Sequence, residues 1–302
     1  MRIILKLKSL TNSSYFELSN YHIQGFIYKL LRNTEFSSLH HFRGFKMFNF
    51  SNIFPIEKSG IIEQDKKYNL IISSPNKAFI DTIYKKLKEY KNKEIKFGEL
   101  RFLLENFKYL KLKLKFPWKT STPIVLTKHK DVYLSDKKEV YKVSVKTLNH
   151  PALKLFKKKT MNIDLKNKDI KEISINKLPY LDNKKFKIVK IVDVYYNFQK
   201  QSEIDSWLRD LKNNSLEKYF SFTGYNFYFE EPIFEEFSFY RPVSSKIKMK
   251  GKEVIVIGSL WNKLGVLRKL DREEKKFYSF LLDCGLGKLN SLGFGFVNPT
   301  ND

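Results

Sequence analysis

The sequence predicts an α+β protein made of two ferredoxin-like (RRM-like) βαββαβ modules in tandem, with an insertion in the second. Three observations predict this. Short apolar runs of period two and longer ones of period 3.6 follow one another in the order β-α-β-β-α-β over the first hundred or so residues. A second set of elements then follows the same plan, although no repeat is visible residue by residue. The chain has 302 residues, 42% hydrophobic and 16% aromatic, which is core enough for two modules.

In the first module, residues 1–9 alternate, with Ile3, Leu5 and Leu7 set against Arg2, Lys6 and Lys8 and with Ile4 the exception, and so predict an opening strand. Ile23, Phe26, Ile27, Leu30 and Leu31 then form one helical stripe, with Ser19 or Asn20 available as its cap. Phe45–Phe54 and Tyr68–Ser73 read as strands. Pro75 opens a second helix whose apolar face is Phe79, Ile80, Ile83, Tyr84 and Leu87. Ile95–Phe107 supplies the last extended stretch.

In the second module, Leu110–Phe116 and Pro123–Tyr133 read as strands. A helix runs from Ile204 through Leu208 and Leu211 toward Tyr219. Tyr225–Phe229, Phe234–Tyr240 and Glu253–Leu260 are extended runs. Phe277, Phe280, Leu281 and Cys284 make the stripe of a final helix, Gly285 is placed as an αL residue past its end, and Phe294–Val297 closes the module. The domains expected are 1–108 and 109–302. An inserted segment of about 137–201 is too long for a loop and includes the alternating run KFKIVKIVDVYYNF.

Charge gives the first functional pointer. Lys and Arg number 57 against 32 acidic residues, a net charge of +25, which attracts polyanions and above all nucleic acid. Lysine supplies 49 of the 57, a skew that an AT-rich genome produces by itself, so part of the basicity is background. A single cysteine, Cys284, excludes a disulfide framework, and with scattered histidines it leaves no zinc cluster. No tight carboxylate cluster suggests a two-metal nuclease, so neither cofactor nor metal is expected. No apolar run approaches the length of a membrane span, and MRIILKLKSL is too short and too charged for a signal peptide. The expectation is a cytoplasmic protein without membrane contact.

Four of the twelve glycines fall between Gly285 and Gly295, in GLGKLNSLGFG. The run follows a helix and precedes a strand, the reverse of a dinucleotide-binding fingerprint, and it lacks the Gly-Lys-Ser or Gly-Lys-Thr of a P-loop. A tight turn needing positive φ accounts for one or two of the four. Closely spaced backbone N–H groups beside Lys288 suit phosphate oxygens, which motivates an RNA-contacting reading of the rest.

Three stretches together, NYHIQGFIYKLL, SLHHFRGFKMFNFS and GLGKLNSLGFGFV, resemble the CRISPR-associated endoribonucleases that cut repeat RNA into guide units, the sixth numbered Cas family of the RAMP superfamily. The terminal loop matches that family's G-x-G-x-x-N-S-x-G-x-G at Gly285, Gly287, Asn290, Ser291, Gly293 and Gly295. The resemblance covers roughly residues 1–135 and 202–299. It implies that CRISPR repeat RNA, precursor and processed, is the partner, with effector-complex subunits as further partners and a monomer or homodimer as the assembly. A RAMP subunit that holds RNA without cutting it is the competing implication.

RNA carries its own nucleophile, the 2′-OH, so cutting by internal attack needs a base, an acid and positive charge at the phosphate rather than a metal. Histidine suits the proton transfers and lysine the charge. The resemblance carries a tyrosine of the first helix onto Tyr28, a histidine of the following loop onto His40, and a lysine onto Lys46. His41 is the alternative to its neighbour. Tyr28 lies roughly 120° from the centre of the helix stripe, off the buried face, at about 100° per residue. Lys46 is expected at the start of the next strand. Lys29, Arg32 and Arg43 flank these positions as RNA contacts, and Gly285, Gly287, Lys288, Asn290, Ser291, Gly293 and Gly295 are expected to receive the strand. His22 is expected as a helper or a surface residue, and His129 and His150 as exposed.

Overall fold

The computed structural model describes residues 1–133, 142–143, 173–174, 185–196, 204–228, 232–249 and 252–300. The chain divides into two compact units, residues 1–126 with 195–302, and residues 127–194.

The first unit holds two larger antiparallel sheets and a two-stranded one that pairs Ser13–Ser14 with Ile61–Ile62. In the first, β1 (Arg2–Ser9) lies between β3 (Lys67–Ser73) and β5 (Leu100–Leu110), β2 (Asn49–Phe50) borders β3, and β4 (Glu94–Phe97) borders β5. Helices α1 (Asn20–Leu30) and α2 (Lys77–Leu87) connect β1 to β2 and β3 to β4. The predicted helix faces are the buried ones. Ile23, Phe26, Ile27, Leu30 and Leu31 of α1 and its end are all 5% exposed or less, and each fully buried side chain of this kind contributes about 1.5–3 kcal/mol. Ser19 is the cap of α1 and Asn76 that of α2.

The second sheet repeats the order. β6 (Trp118–Thr120) lies between β10 (Lys252–Gly265) and β11 (Val297–Pro299), and β9 (Glu236–Met249) borders β10. Helices α3 (Ile204–Thr223) and α4 (Arg272–Cys284) occupy the places of α1 and α2. Asp271 and Glu274 cap the start of α4 with a capping box. In the other unit, β7 (Leu126–Tyr133) pairs with β8 (Lys185–Tyr196), which is the alternating run KFKIVKIVDVYY. Most of the expected insertion, and His150 with it, lies outside the described residues. His129 falls on β7.

Several expectations are corrected, each for a local reason. The strand expected over Phe45–Phe54 shrinks to Asn49–Phe50 because Met47 takes φ 53°, so Lys46 sits in a connecting turn before it. No strand follows Leu110, since β1 has no residue left to pair beyond Arg2↔Leu110. The short strand Trp118–Thr120 does the work expected of Leu110–Phe116. Residues 225–228 form no strand, and the hairpin of β9 and β10 is longer than its apolar runs. The closing strand begins at Val297 rather than Phe294, because Gly293 and Gly295 turn the chain with φ 79° and 70°. Arg2, expected on the polar face, is 1% exposed. Its guanidinium donates to Asn298 Oδ1 at 2.6 Å, Leu282 O at 2.5 Å and Val297 O at 2.8 Å, fastening the first strand of one module to the last of the other.

Candidate active site

Helix α1 sets the first candidate side chain. With its apolar stripe fixed on the sheet, Tyr28 falls on the flank, half-buried, its ring edge-on to Phe48 at 6.0 Å between centroids. After α1 the chain turns at Asn33 (φ 57°) and enters a short helical turn, Ser37–His40. Phe36 pins this loop by packing edge-on against Phe79 of α2, at 5.5 Å. His40 and His41 emerge exposed at its end.

The three positions named by the resemblance converge. Lys46 Nζ donates to Tyr28 Oη at 2.6 Å and to the His40 carbonyl at 3.2 Å. The His40 ring meets the Tyr28 ring edge-on, with centroids 5.0 Å apart. The His41 ring meets the His40 ring edge-on, with centroids 4.7 Å apart. All four line one cleft of about 660 Å³, together with Lys29, Arg32 and Leu292 of the glycine loop. Arg43 is exposed and is not part of the lining.

Burial sets the protonation of the pair. Tyr28 is pushed up to about 12, chiefly by desolvation and further by Tyr21, so its phenol stays protonated at neutral pH. Desolvation lowers Lys46 below the ordinary lysine value. Because Lys46 donates into the phenol oxygen, the phenol's own proton is left for an acceptor in the cleft. A lysine, a phenol and an imidazole around one opening can bind a phosphate and move protons at its ester oxygens.

The glycine loop is built differently. Gly285, Gly287, Gly293 and Gly295 all have positive φ and all are buried, so the turn requirement accounts for all four and not for one or two. Space decides the same way. A Cβ on Gly295 would lie 1.8 Å from Leu286 O, and one on Gly287 2.5 Å from Val125 O. Gly285 has φ 87° and ψ 163°, outside the αL region expected for it. Asn290 is 9% exposed and donates from Nδ2 to Leu286 O at 3.0 Å and to Phe294 O at 2.9 Å. The positions expected to receive RNA therefore divide: the glycines and Asn290 pack within the protein, whereas Lys288 and Ser291 lie nearer the surface.

Sequence reasoning missed three residues. Lys218 of α3 is fully buried, and its Nζ donates to Gly285 O at 2.6 Å, Gly287 O at 3.0 Å and Asn290 Oδ1 at 3.0 Å. Burial lowers its pKa, and it stands inside the loop as a three-way brace. Gln24 donates to Ser291 O at 2.7 Å and Asn20 to Leu292 O at 2.8 Å, so α1 holds the loop against the cleft one and two turns before Tyr28. Gln24 had a readable signal, as a polar residue beside the apolar stripe. Lys218 had none among so many lysines.

Comparisons with known proteins agree with this architecture. Residues 185–299 match the family model described as CRISPR associated protein Cas6, C-terminal. Over 309 aligned residues, spanning 99% of each chain, the protein is 30% identical to the CRISPR-associated endoribonuclease Cas6 2 of Methanocaldococcus jannaschii. Among solved structures, a Cas6-related protein from Pyrococcus furiosus superposes with a TM-score of 0.61 at 19% identity, covering 100% of this chain and 99% of that one. A RAMP protein described as binding different RNA substrates superposes with a TM-score of 0.58 at 18% identity, covering 100% of both chains.

Proposed function

The chain belongs to the Cas6 family of CRISPR-associated endoribonucleases, and from that premise we propose that it binds CRISPR repeat RNA and cuts precursor transcripts within the repeat. The observation that carries the reading is the convergence of Tyr28, His40 and Lys46 on one cleft. In this reading the 2′-OH next to the scissile phosphate attacks it, the 5′-oxygen leaves, and the products are a 2′,3′-cyclic phosphate and a 5′-hydroxyl. His40 handles one of the two protons, as base from the 2′-OH or as acid to the leaving 5′-oxygen, and water exchanges the other. Lys46 neutralises the charge that grows on the phosphorane, and Tyr28, held by Lys46, donates a hydrogen bond to a non-bridging oxygen. Lys29, Arg32 and Arg43 attract the backbone, with Lys288 and Ser291 on the loop side. No step calls for a metal, and the work is placed in the cytoplasm. In this reading its product passes to effector subunits, and it acts as monomer or homodimer.

The test compares repeat RNA with the same RNA carrying a 2′-deoxy sugar just 5′ of the scissile phosphate, both in EDTA. The proposal expects cutting of the first alone, with a cyclic phosphate end. Cutting of both refutes the mechanism. Tight binding of the first without cutting points instead to a RAMP subunit that holds RNA.

A further inference from the structure

On the other side of α1 lies a second depression, of about 410 Å³, between the helix and the β4–β5 hairpin. It shares Tyr21, Gly25 and Lys29 with the candidate active site. These three stand at i, i+4 and i+8, and so form one ridge along the helix. Gly25 is the notch in that ridge.

A glycine at this place needs a reason, because it is the least favourable residue but proline in a helix interior. Its packing gives none. A Cβ built on Gly25 meets nothing within 4 Å, unlike those on the four loop glycines. The helix is simply left bare between two hollows. Tyr21, 47% exposed, and Lys29, exposed, flank the gap.

The second hollow is itself furnished. Lys29 Nζ lies 5.6 Å from the centre of the Tyr90 ring, and Tyr90 packs edge-on against Phe26. Glu94 contributes a carboxylate, but Arg101 engages it with two hydrogen bonds of 2.9 and 2.6 Å, and Lys96 Nζ stands 3.6 Å away. The balance of charge is therefore positive. His22 forms part of the wall, with Nδ1 buried and without a hydrogen-bond partner among the described residues. Gly98, at φ 65°, lets the hairpin turn close against that imidazole.

We propose that this hollow is a subsite for one nucleotide of the RNA flanking the cut, and that Gly25 is the pass through which the phosphodiester backbone crosses α1 from the active site. The inference rests on the proposed RNA-cutting function and adds a path for the strand. Tyr21 offers a stacking face, Lys29 and Lys96 the phosphate charge, and the missing side chain the clearance.

Gly25→Ala and Gly25→Gln test the pass, because neither meets a protein atom at Cβ. Both variants are expected to unfold at or above the wild-type temperature, as a helix gains from losing glycine. Gly25→Gln is nonetheless expected to raise the Kd for repeat RNA at least tenfold, with Gly25→Ala between it and wild type. Lys96→Ala is expected to weaken binding and to lower the salt dependence by about one counterion. Its effect should shrink in the Gly25→Gln background, since both changes act on one path. Wild-type Kd and cutting in Gly25→Gln, or effects of the two changes that multiply independently, overturn the inference while leaving the parent reading intact. A wild type that neither binds nor cuts repeat RNA overturns both.

Discussion

The cleft beside α1 leaves its polar groups open, with His40 and His41 exposed, while the adjoining glycine loop is enclosed, with its Asn290 at 9% exposure and Lys218 of α3, which braces it, at 1%. Both regions stand out in the sequence, and both are expected to face RNA. The structure builds them differently. In the cleft, the titratable side chains are held by few bonds. In the loop, backbone that needs φ > 0 is clamped by a buried lysine and tied to α1 through Gln24 and Asn20. Substitution should therefore damage function alone in one place and folding first in the other.

The largest stability effect belongs to Gly295→Ala. The new methyl group faces Leu286 O, and alanine must adopt φ 70°. The left-handed conformation costs roughly 1–2 kcal/mol and the overpacking about 1–3 more. Chemical denaturation is expected to show a loss of about 3 kcal/mol, with RNA binding falling only as far as the folded fraction falls. Unchanged stability with lost binding would make the loop an RNA surface after all.

Lys218→Met should come next. It leaves three buried acceptors without their donor, at a cost of about 2 kcal/mol in the same measurement. Catalysis per folded molecule should be retained, and a specific loss of cutting would mean that the loop takes part in the chemistry.

A pH profile sharpens the other side of the comparison. Desolvation holds Lys46 below the ordinary 10.5, so its charge is lost at a lower pH than that of an exposed lysine. Tyr28 is raised to about 12 and keeps its proton throughout that window. The cutting rate should therefore fall on an alkaline limb below pH 10.5 that belongs to Lys46. Lys46→Arg, if active, should move the limb upward, and an unmoved limb would assign it elsewhere. The smallest effect is expected at Ser291, whose carbonyl rather than its hydroxyl makes the short bond to Gln24. Ser291→Ala should change stability by less than about 0.5 kcal/mol.

Much of the fold was legible because its helices and central strands bury one clean face. The stripes of α1, α2 and α4 and the alternation of β1 needed only period and hydrophobicity. What escaped was set by partners. Trp118–Thr120 is too short to show a period, and Lys111–Lys115 alternates yet has no strand to join. Arg2 reads as a surface residue until the carbonyls of Leu282 and Val297 supply acceptors from the far end of the chain. At the site, the order of Tyr28, His40 and Lys46 was visible through the family resemblance. Lys218 and Gly25 were not, because one is a common residue in an uncommon place and the other matters by what it lacks.

The most direct test of the account is the single-turnover cutting rate of His40→Ala with repeat RNA at saturation. The account predicts a rate lower by a factor of about 10²–10⁴, the usual worth of a general acid or base, with RNA affinity and unfolding temperature unchanged. Wild-type cutting by His40→Ala would contradict it and remove His40 from the chemistry.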